Sequence, residues 1–226
     1  RLRPLTLSNP KCLINVNNKP ILEDWLIKLE AIEAQKILIN THYLHQKVDQ
    51  FLKTQTFRKP ELINIFEEKL LGTAGTLLKN YEFFLKTTTI MIHADNFTTL
   101  DLKDLINAHY NRPKACLLTM LTFNCSNPSS CGIVKVNESN IVEGFFEKHS
   151  KPPGNVANGA IYLFEDELLK WMIKNCPHAE DFSTQVIPKL LGKIYAFHTK
   201  MPYIDIGTPS SLDEARRIGN TTKEKS

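Results

Sequence analysis

No stretch of the sequence approaches the roughly 20 consecutive apolar residues that a membrane-spanning helix needs, so no membrane segment is expected. Cysteine is sparse. The five, Cys12, Cys116, Cys125, Cys131 and Cys176, include no C-x-x-C pair. An odd count at irregular spacing argues against a disulfide framework or a zinc site and for reduced thiols in a cytoplasmic protein. Cys125 and Cys131 are the one pair whose spacing admits a bridge in principle. No internal repeat or low-complexity tract is present. A large excess of one charge is lacking too: 28 Lys and Arg against 24 Asp and Glu give a net charge of +4. That suits phosphate-bearing ligands but is too little to argue for a DNA or RNA partner. What is present is an ordinary globular composition, 42% hydrophobic and 23% charged over 226 residues, enough for one domain with a substantial core.

Helix-like and strand-like patterns alternate. Ile21, Leu22, Trp25, Leu26, Leu29 and Ile32 recur at helical spacing and predict an amphipathic helix over 20–34. Lys36–Asn40, Leu62–Phe66 and Thr88–His93 read as strands. Helices are expected around Val48–Leu52, over 73–84 and around Leu102–His109. Such alternation favours an α/β fold with a largely parallel sheet. The middle of the chain is richer in strands, at 115–123, 132–136, 141–147 and 160–164, with a turn at 137–140. Helices are then expected over 165–174 and 181–191, and a strand over 194–198. Thr208-Pro209 should start a last helix, Thr as N-cap and Pro at the first position. A polar tail follows from Asn220 to Ser226.

Several clusters could carry chemistry. Arg1, Arg3 and Lys11 are basic near the start of the sequence; alone they read as a solvated surface, or as a loop that grips polyphosphate. Gly72-Thr73-Ala74-Gly75 brackets small residues with glycines. This is a plain strand–turn–helix link, or a place where a flat ligand meets backbone. Asp95 ends an apolar strand. A carboxylate there caps a turn or binds Mg²⁺, which takes one or two carboxylates together with substrate phosphate oxygens. Glu147-Lys148 reads as an exposed ion pair worth under about 1 kcal/mol, or as a hydroxyl and phosphate contact. His42 and His45 stand three apart without a third ligand and are read as surface or capping residues.

Taken together and in order, these segments resemble the sugar-1-phosphate nucleotidylyltransferases, most closely the short mannose- and heptose-1-phosphate guanylyltransferases. Arg1-Leu-Arg-Pro-Leu-Thr6 and Pro10-Lys11 are similar to the second half of the family's signature loop. In the family a strand and a G-x-G-T run come before that point, so the resemblance implies a strand and glycines preceding residue 1. Leu71-Gly72-Thr73-Ala74-Gly75 is similar to the L-G-T-A-G run placed against the nucleotide base in guanylyltransferases. His93-Ala94-Asp95 stands where the family has G-D or S-D, and Tyr203-Ile-Asp205-Ile-Gly207-Thr208-Pro209 resembles W-x-D-I-G-T-P. Gly144-Phe-Phe-Glu147-Lys148 resembles F-x-E-K-P, with His149 in place of Pro. Asn158-Gly-Ala-Ile-Tyr162 resembles the sugar-contacting strand N-x-G-x-Y, and Gly132 the glycine packed beneath it.

The resemblance, which reaches from Arg1 to about Ile218, implies a Rossmann-like open mixed sheet, mostly parallel and flanked by helices, without a C-terminal β-helix. It implies the reaction of an NTP, GTP by preference, with a sugar 1-phosphate to give an NDP-sugar and pyrophosphate. Catalytic roles fall on Arg1, Lys11 and Lys148, and nucleotide binding on Gly72, Thr73, Ala74 and Gly75. Sugar binding falls on Gly132, Glu147, Lys148 and Asn158, and Mg²⁺ on Asp95 and Asp205. UTP, dTTP or CTP in the same chemistry, and a catalytically silent regulatory relative, are the alternatives; homo-oligomerisation stays open.

Overall fold

The structure is a computed structural model that describes residues 2–57 and 59–223. It divides into two compact units. One comprises Leu71–His93 and Lys103–Lys200; the other gathers Ala94–Leu102 with the chain before Leu71 and after Lys200.

In the unit containing both chain ends, the helix Ile21–Ala31 buries Ile21, Leu22, Trp25, Leu26 and Leu29, the stripe its spacing predicts. Burying each such side chain contributes about 1.5–3 kcal/mol. The indole N–H of Trp25 donates to the Asn96 carbonyl at 2.8 Å, tying this helix to a strand far away in sequence. Strands Lys36–Thr41 and Glu61–Phe66 pair in parallel, joined through the helix His45–Lys53. Parallel neighbours need such a crossover. A second, antiparallel pair, Asn96–Thr98 with Tyr203–Asp205, sets Asp205 opposite Asn96. The last helix, Pro209–Lys223, starts as expected: the Ser211 N–H donates to Thr208 Oγ1 at 3.1 Å.

The other unit is built on one six-stranded sheet. Its path runs Ile194–His198, Leu118–Asn124, Val156–Phe164, Gly132–Val136, Val142–Glu147, with Thr89–Ile92 also pairing Val156–Phe164. The long strand Val156–Phe164 therefore serves two neighbours along one edge, Thr89–Ile92 beside its C-terminal half and Gly132–Val136 beside Ala157. Leu118, Met120, Leu121, Ile133, Val142, Ile161, Tyr162, Leu163 and Phe164 form its buried centre, and the helix Asp166–Asn175 adds Leu168, Leu169 and Met172.

The mixed α/β architecture with flanking helices is as expected. The weight on parallel pairing needs correction: among the described strands only Lys36–Thr41/Glu61–Phe66 and Leu118–Asn124/Ile194–His198 run parallel. The middle of the chain supplies short reversing links such as the turn at 137–140, and these can join only antiparallel neighbours. Two helices also differ. The segment 181–191 forms a wide π turn, Phe182–Val186, and a tight 3₁₀ turn, Ile187–Lys189, because Pro188 cannot donate to a continuous helical ladder. The expected helix 73–84 ends at Lys79 and resumes as one turn over Tyr81–Phe84. Between them the Asn80 side chain bonds back to the Thr76 carbonyl at 2.9 Å, a local bond that competes with helix continuation.

One buried polar network braces this unit. His109 is fully buried, with Nδ1 2.8 Å from Thr119 Oγ1 and Nε2 2.9 Å from Glu165 Oε1. Arg112 donates to the other Glu165 oxygen and to the His109 and Cys116 carbonyls. Burial, with Arg112 beside it, lowers the His109 pKa below its ordinary value in spite of the Glu165 charge.

Candidate active site

Three segments remote in sequence meet at Lys11. The backbone pairing that sets Asp205 opposite Asn96 makes Asp95 and Asp205 neighbours at the ends of two strands, and the Ile206 N–H donates to the Asp95 carbonyl at 3.2 Å. Both carboxylates reach the same ammonium: Lys11 Nζ lies 2.6 Å from Asp95 Oδ2 and 3.0 Å from Asp205 Oδ1. Burial of the ammonium works to lower its pKa, but the two carboxylates outweigh it and hold Lys11 above its ordinary value of 10.5. Cys12 beside it is pushed up to about 11, chiefly by burial, and is a poor nucleophile.

Two carboxylate oxygens that share one ammonium at these distances lie within about 6 Å of each other, close enough to share a hard divalent cation. Among the described residues no group of three or more His, Cys, Asp or Glu side chains is gathered to hold a metal ion alone. The donor set therefore fits a hard divalent ion that completes its shell with water or phosphate oxygens.

The glycine run opens the helix Gly72–Lys79. Gly72 has φ +76°, and a Cβ there would lie 2.4 Å from the Glu180 carbonyl oxygen, so the position admits only glycine. The Ala74 and Gly75 N–H groups donate to that same carbonyl at 2.9 and 3.3 Å. Thr73 Oγ1 accepts from the Phe182 N–H at 2.8 Å. The first turn of this helix is clamped onto the turn at 180–186, and the Ala74 and Gly75 amides are spent inside the protein.

Glu147 and Lys148 stand at the end of the strand Val142–Glu147, with Lys148 Nζ 3.6 Å from Glu147 Oε1. The Lys148 side chain is 64% exposed, free to meet a ligand. Its backbone is held in the left-handed region at φ +45° by an N–H bond to the Cys131 carbonyl at 3.0 Å. Gly132 pairs with Glu147 across the sheet, and a Cβ on it would lie 2.6 Å from Glu147 Oε2. The missing side chain is what lets the Glu147 carboxylate lie across the neighbouring strand. Asn158 uses both ends of its amide internally: Nδ2 donates to the Tyr162 hydroxyl at 2.6 Å and Oδ1 accepts from the Ala160 N–H at 3.0 Å.

Lys11, Asp95 and Asp205 are thus brought together in one unit, and Gly132, Glu147 and Lys148 together in the other. The run Gly72 to Gly75 and Asn158 belong to the second unit as well. Arg1 lies outside the described residues. His42 and His45 are engaged within the protein: His42 Nδ1 is 2.8 Å from the Glu67 carbonyl, and the His45 ring packs 4.1 Å from Phe66 while its Nδ1 meets Asp49. Sequence reasoning missed Glu180 and Phe182 as supports of the Gly72–Gly75 turn, because no spacing rule links them to Thr73 and Ala74, about a hundred positions away.

The chain matches the family described as nucleotidyl transferase over residues 1–221. It is 29% identical over 217 residues to the mannose-1-phosphate guanylyltransferase catalytic subunit beta of Drosophila melanogaster, covering 94% of this chain and 58% of that one. It is 26% identical over 225 residues to a UTP–glucose-1-phosphate uridylyltransferase of Synechocystis, covering 92% of this chain and 57% of the relative. The chain thus spans less than three fifths of the length of these relatives. In fold it is similar to the crystal structure of HddC from Yersinia pseudotuberculosis complexed with GMP-PN, with a TM-score of 0.78 at 24% identity, over 97% of this chain and 94% of that one.

Proposed function

The chain belongs to the nucleotidyl transferase family, and on that premise we propose that it makes a nucleotide sugar, joining GTP to mannose 1-phosphate or a related sugar 1-phosphate with release of pyrophosphate. The observation that carries this reading is the convergence of Asp95 and Asp205 on one cation, the Lys11 ammonium. The guanine preference is supported by the Leu71–Gly75 run and by the name of the Drosophila relative. The Synechocystis relative supports UTP with glucose 1-phosphate as the second reading.

In this reaction an oxygen of the sugar phosphate forms a bond to the α-phosphorus of the triphosphate. The bond from that phosphorus to the bridging oxygen breaks, and pyrophosphate leaves with the electron pair. The nucleophile is already an anion, so no general base is required, and catalysis is positioning plus neutralisation of charge. Lys148 holds the sugar phosphate, and Glu147 accepts hydrogen bonds from sugar hydroxyls. Lys11 offsets charge on the triphosphate, with Arg1 assigned to the pyrophosphate. Asp95 and Asp205 would hold a divalent cation, Mg²⁺, which when bound supplies Lewis-acid stabilisation of the phosphate oxygens. The test is pyrophosphate release by the full-length protein with four NTPs against a panel of sugar 1-phosphates. GTP with a manno-configured sugar is expected to lead, and no release with any pair would overturn the reading.

A further inference from the structure

Tyr162 is 1% exposed in the middle of the long strand Val156–Phe164. A phenylalanine would fill the same core, so the hydroxyl calls for its own account. It accepts from Asn158 Nδ2 at 2.6 Å, and the Ser183 side chain lies beside it. Burial, reinforced by the nearby Glu147 and Asp181 carboxylates, pushes its pKa up to about 12, so it stays a neutral phenol.

Each of these contacts leads to a different part of the unit. On one side Asn158 closes the irregularity in its strand: Ala160 has φ +50°, and the register against Leu118–Asn124 shifts between Asn158 and Tyr162. On the other side lies the turn at 180–186. Phe182 packs its ring on Tyr162 with centroids 4.9 Å apart and gives its N–H to Thr73. The Glu180 carbonyl receives the Ala74 N–H at 2.9 Å. One buried oxygen thus touches both the strand that bears Asn158 and the turn that clamps the helix opening at Gly72.

We propose that the Tyr162 hydroxyl is a positioning group that joins the sugar-contacting strand to the clamp on the nucleotide-contacting helix, so that a change at one is felt at the other. The assignment of those two elements to sugar and nucleotide rests on the reading of function above. Tyr162 touches no reacting atom in this scheme and acts through Asn158 and Ser183.

A double-mutant cycle tests it with the full-length protein. At saturating GTP, Tyr162→Phe should raise the KM for mannose 1-phosphate about 10-fold, the scale for losing one buried hydrogen bond. Its kcat should change by less than about threefold. Ser183→Ala, which opens no hole in the core, should reproduce the effect. Thr73→Val should raise the same KM by about 3- to 10-fold in the wild-type background and add nothing in the Tyr162→Phe background. Effects that multiply independently would overturn the relay, as would a Tyr162→Phe protein that only melts earlier. Amide hydrogen exchange reads the relay without turnover: Thr73→Val should speed exchange at Asn158–Ala160 in wild type but not further in Tyr162→Phe. An inert wild type would defeat the reading of function and leave the exchange cycle to decide the relay; unchanged exchange there would overturn it.

Discussion

Lys11 and Lys148 carry the same charge and sit in opposite circumstances. Lys11 is gripped by two carboxylates, whereas the Lys148 side chain is 64% exposed with one partner at 3.6 Å. Lys148 therefore contributes little to folding and is free for ligand. Lys148→Ala should leave the melting temperature nearly unchanged and lower kcat/KM for the sugar phosphate about 10²- to 10³-fold, the scale for one electrostatic stabiliser; steady-state kinetics with the variant checks it. Gly132→Ala should behave differently. Its new methyl would stand 2.6 Å from Glu147 Oε2 and 2.8 Å from the Phe145 ring. Both must shift, so kcat/KM should fall at least about 10-fold and stability by about 1–3 kcal/mol, as for overpacking; melting and kinetics together read both losses. The charged members of the candidate site were legible in the sequence because family motifs fix their positions. The engagement of Asn158 was not: an asparagine in a strand does not announce that both ends of its amide face inward.

At the scale of elements, patterning located most strands and helices to within a few residues, because one face of each is apolar. The failures have local causes. Pro188 breaks a segment whose apolar spacing is helical, and the shift between Asn158 and Tyr162 answers to a side-chain bond that periodicity does not see. Parallel pairing was overestimated because β–α alternation near the start of the chain was extended to a middle that reverses by short turns. The helix Leu102–Tyr110 raises a pH question of its own, since it presents His109 to a buried network. The folded-state pKa of His109 is lowered by burial first and Arg112 second. Below the unfolded value of about 6.5 the unfolded chain takes up a proton that the folded one refuses. The contribution to stability is thus complete above that pH and is lost as pH falls toward the lower folded pKa. Thermal melts between pH 5 and 8 should show stability declining on the acid side of about 6.5, and His109→Gln should flatten that decline, at some cost in stability near neutrality. An unaltered slope in His109→Gln would assign the acid sensitivity to other groups.

For the whole molecule the telling fact is how far apart in the chain the members of the Lys11–Asp95–Asp205 cluster lie. Lys11 precedes the first long helix, Asp95 follows the strand Thr89–Ile92, and Asp205 ends a strand just before the last helix. No short segment can form this cluster alone, so a ligand that binds it binds only folded protein and must stabilise it by linkage. GTP with Mg²⁺ at 100-fold over its dissociation constant should add about 2.7 kcal/mol. In a chain of this size that is a rise of about 5–10 °C in melting temperature. The metal-dependent share can be isolated with Asp205→Asn. The Asp205 side chain is 67% exposed, and an exposed ion pair is worth at most about 1 kcal/mol. The variant should therefore melt within a few degrees of wild type when no ligand is added. It should keep the increment given by GTP in the presence of EDTA and lose most of the further increment that Mg²⁺ brings. Equal Mg²⁺ increments in the variant and in wild type would remove Asp205 from cation binding and leave its carboxylate as nothing more than a partner for Lys11.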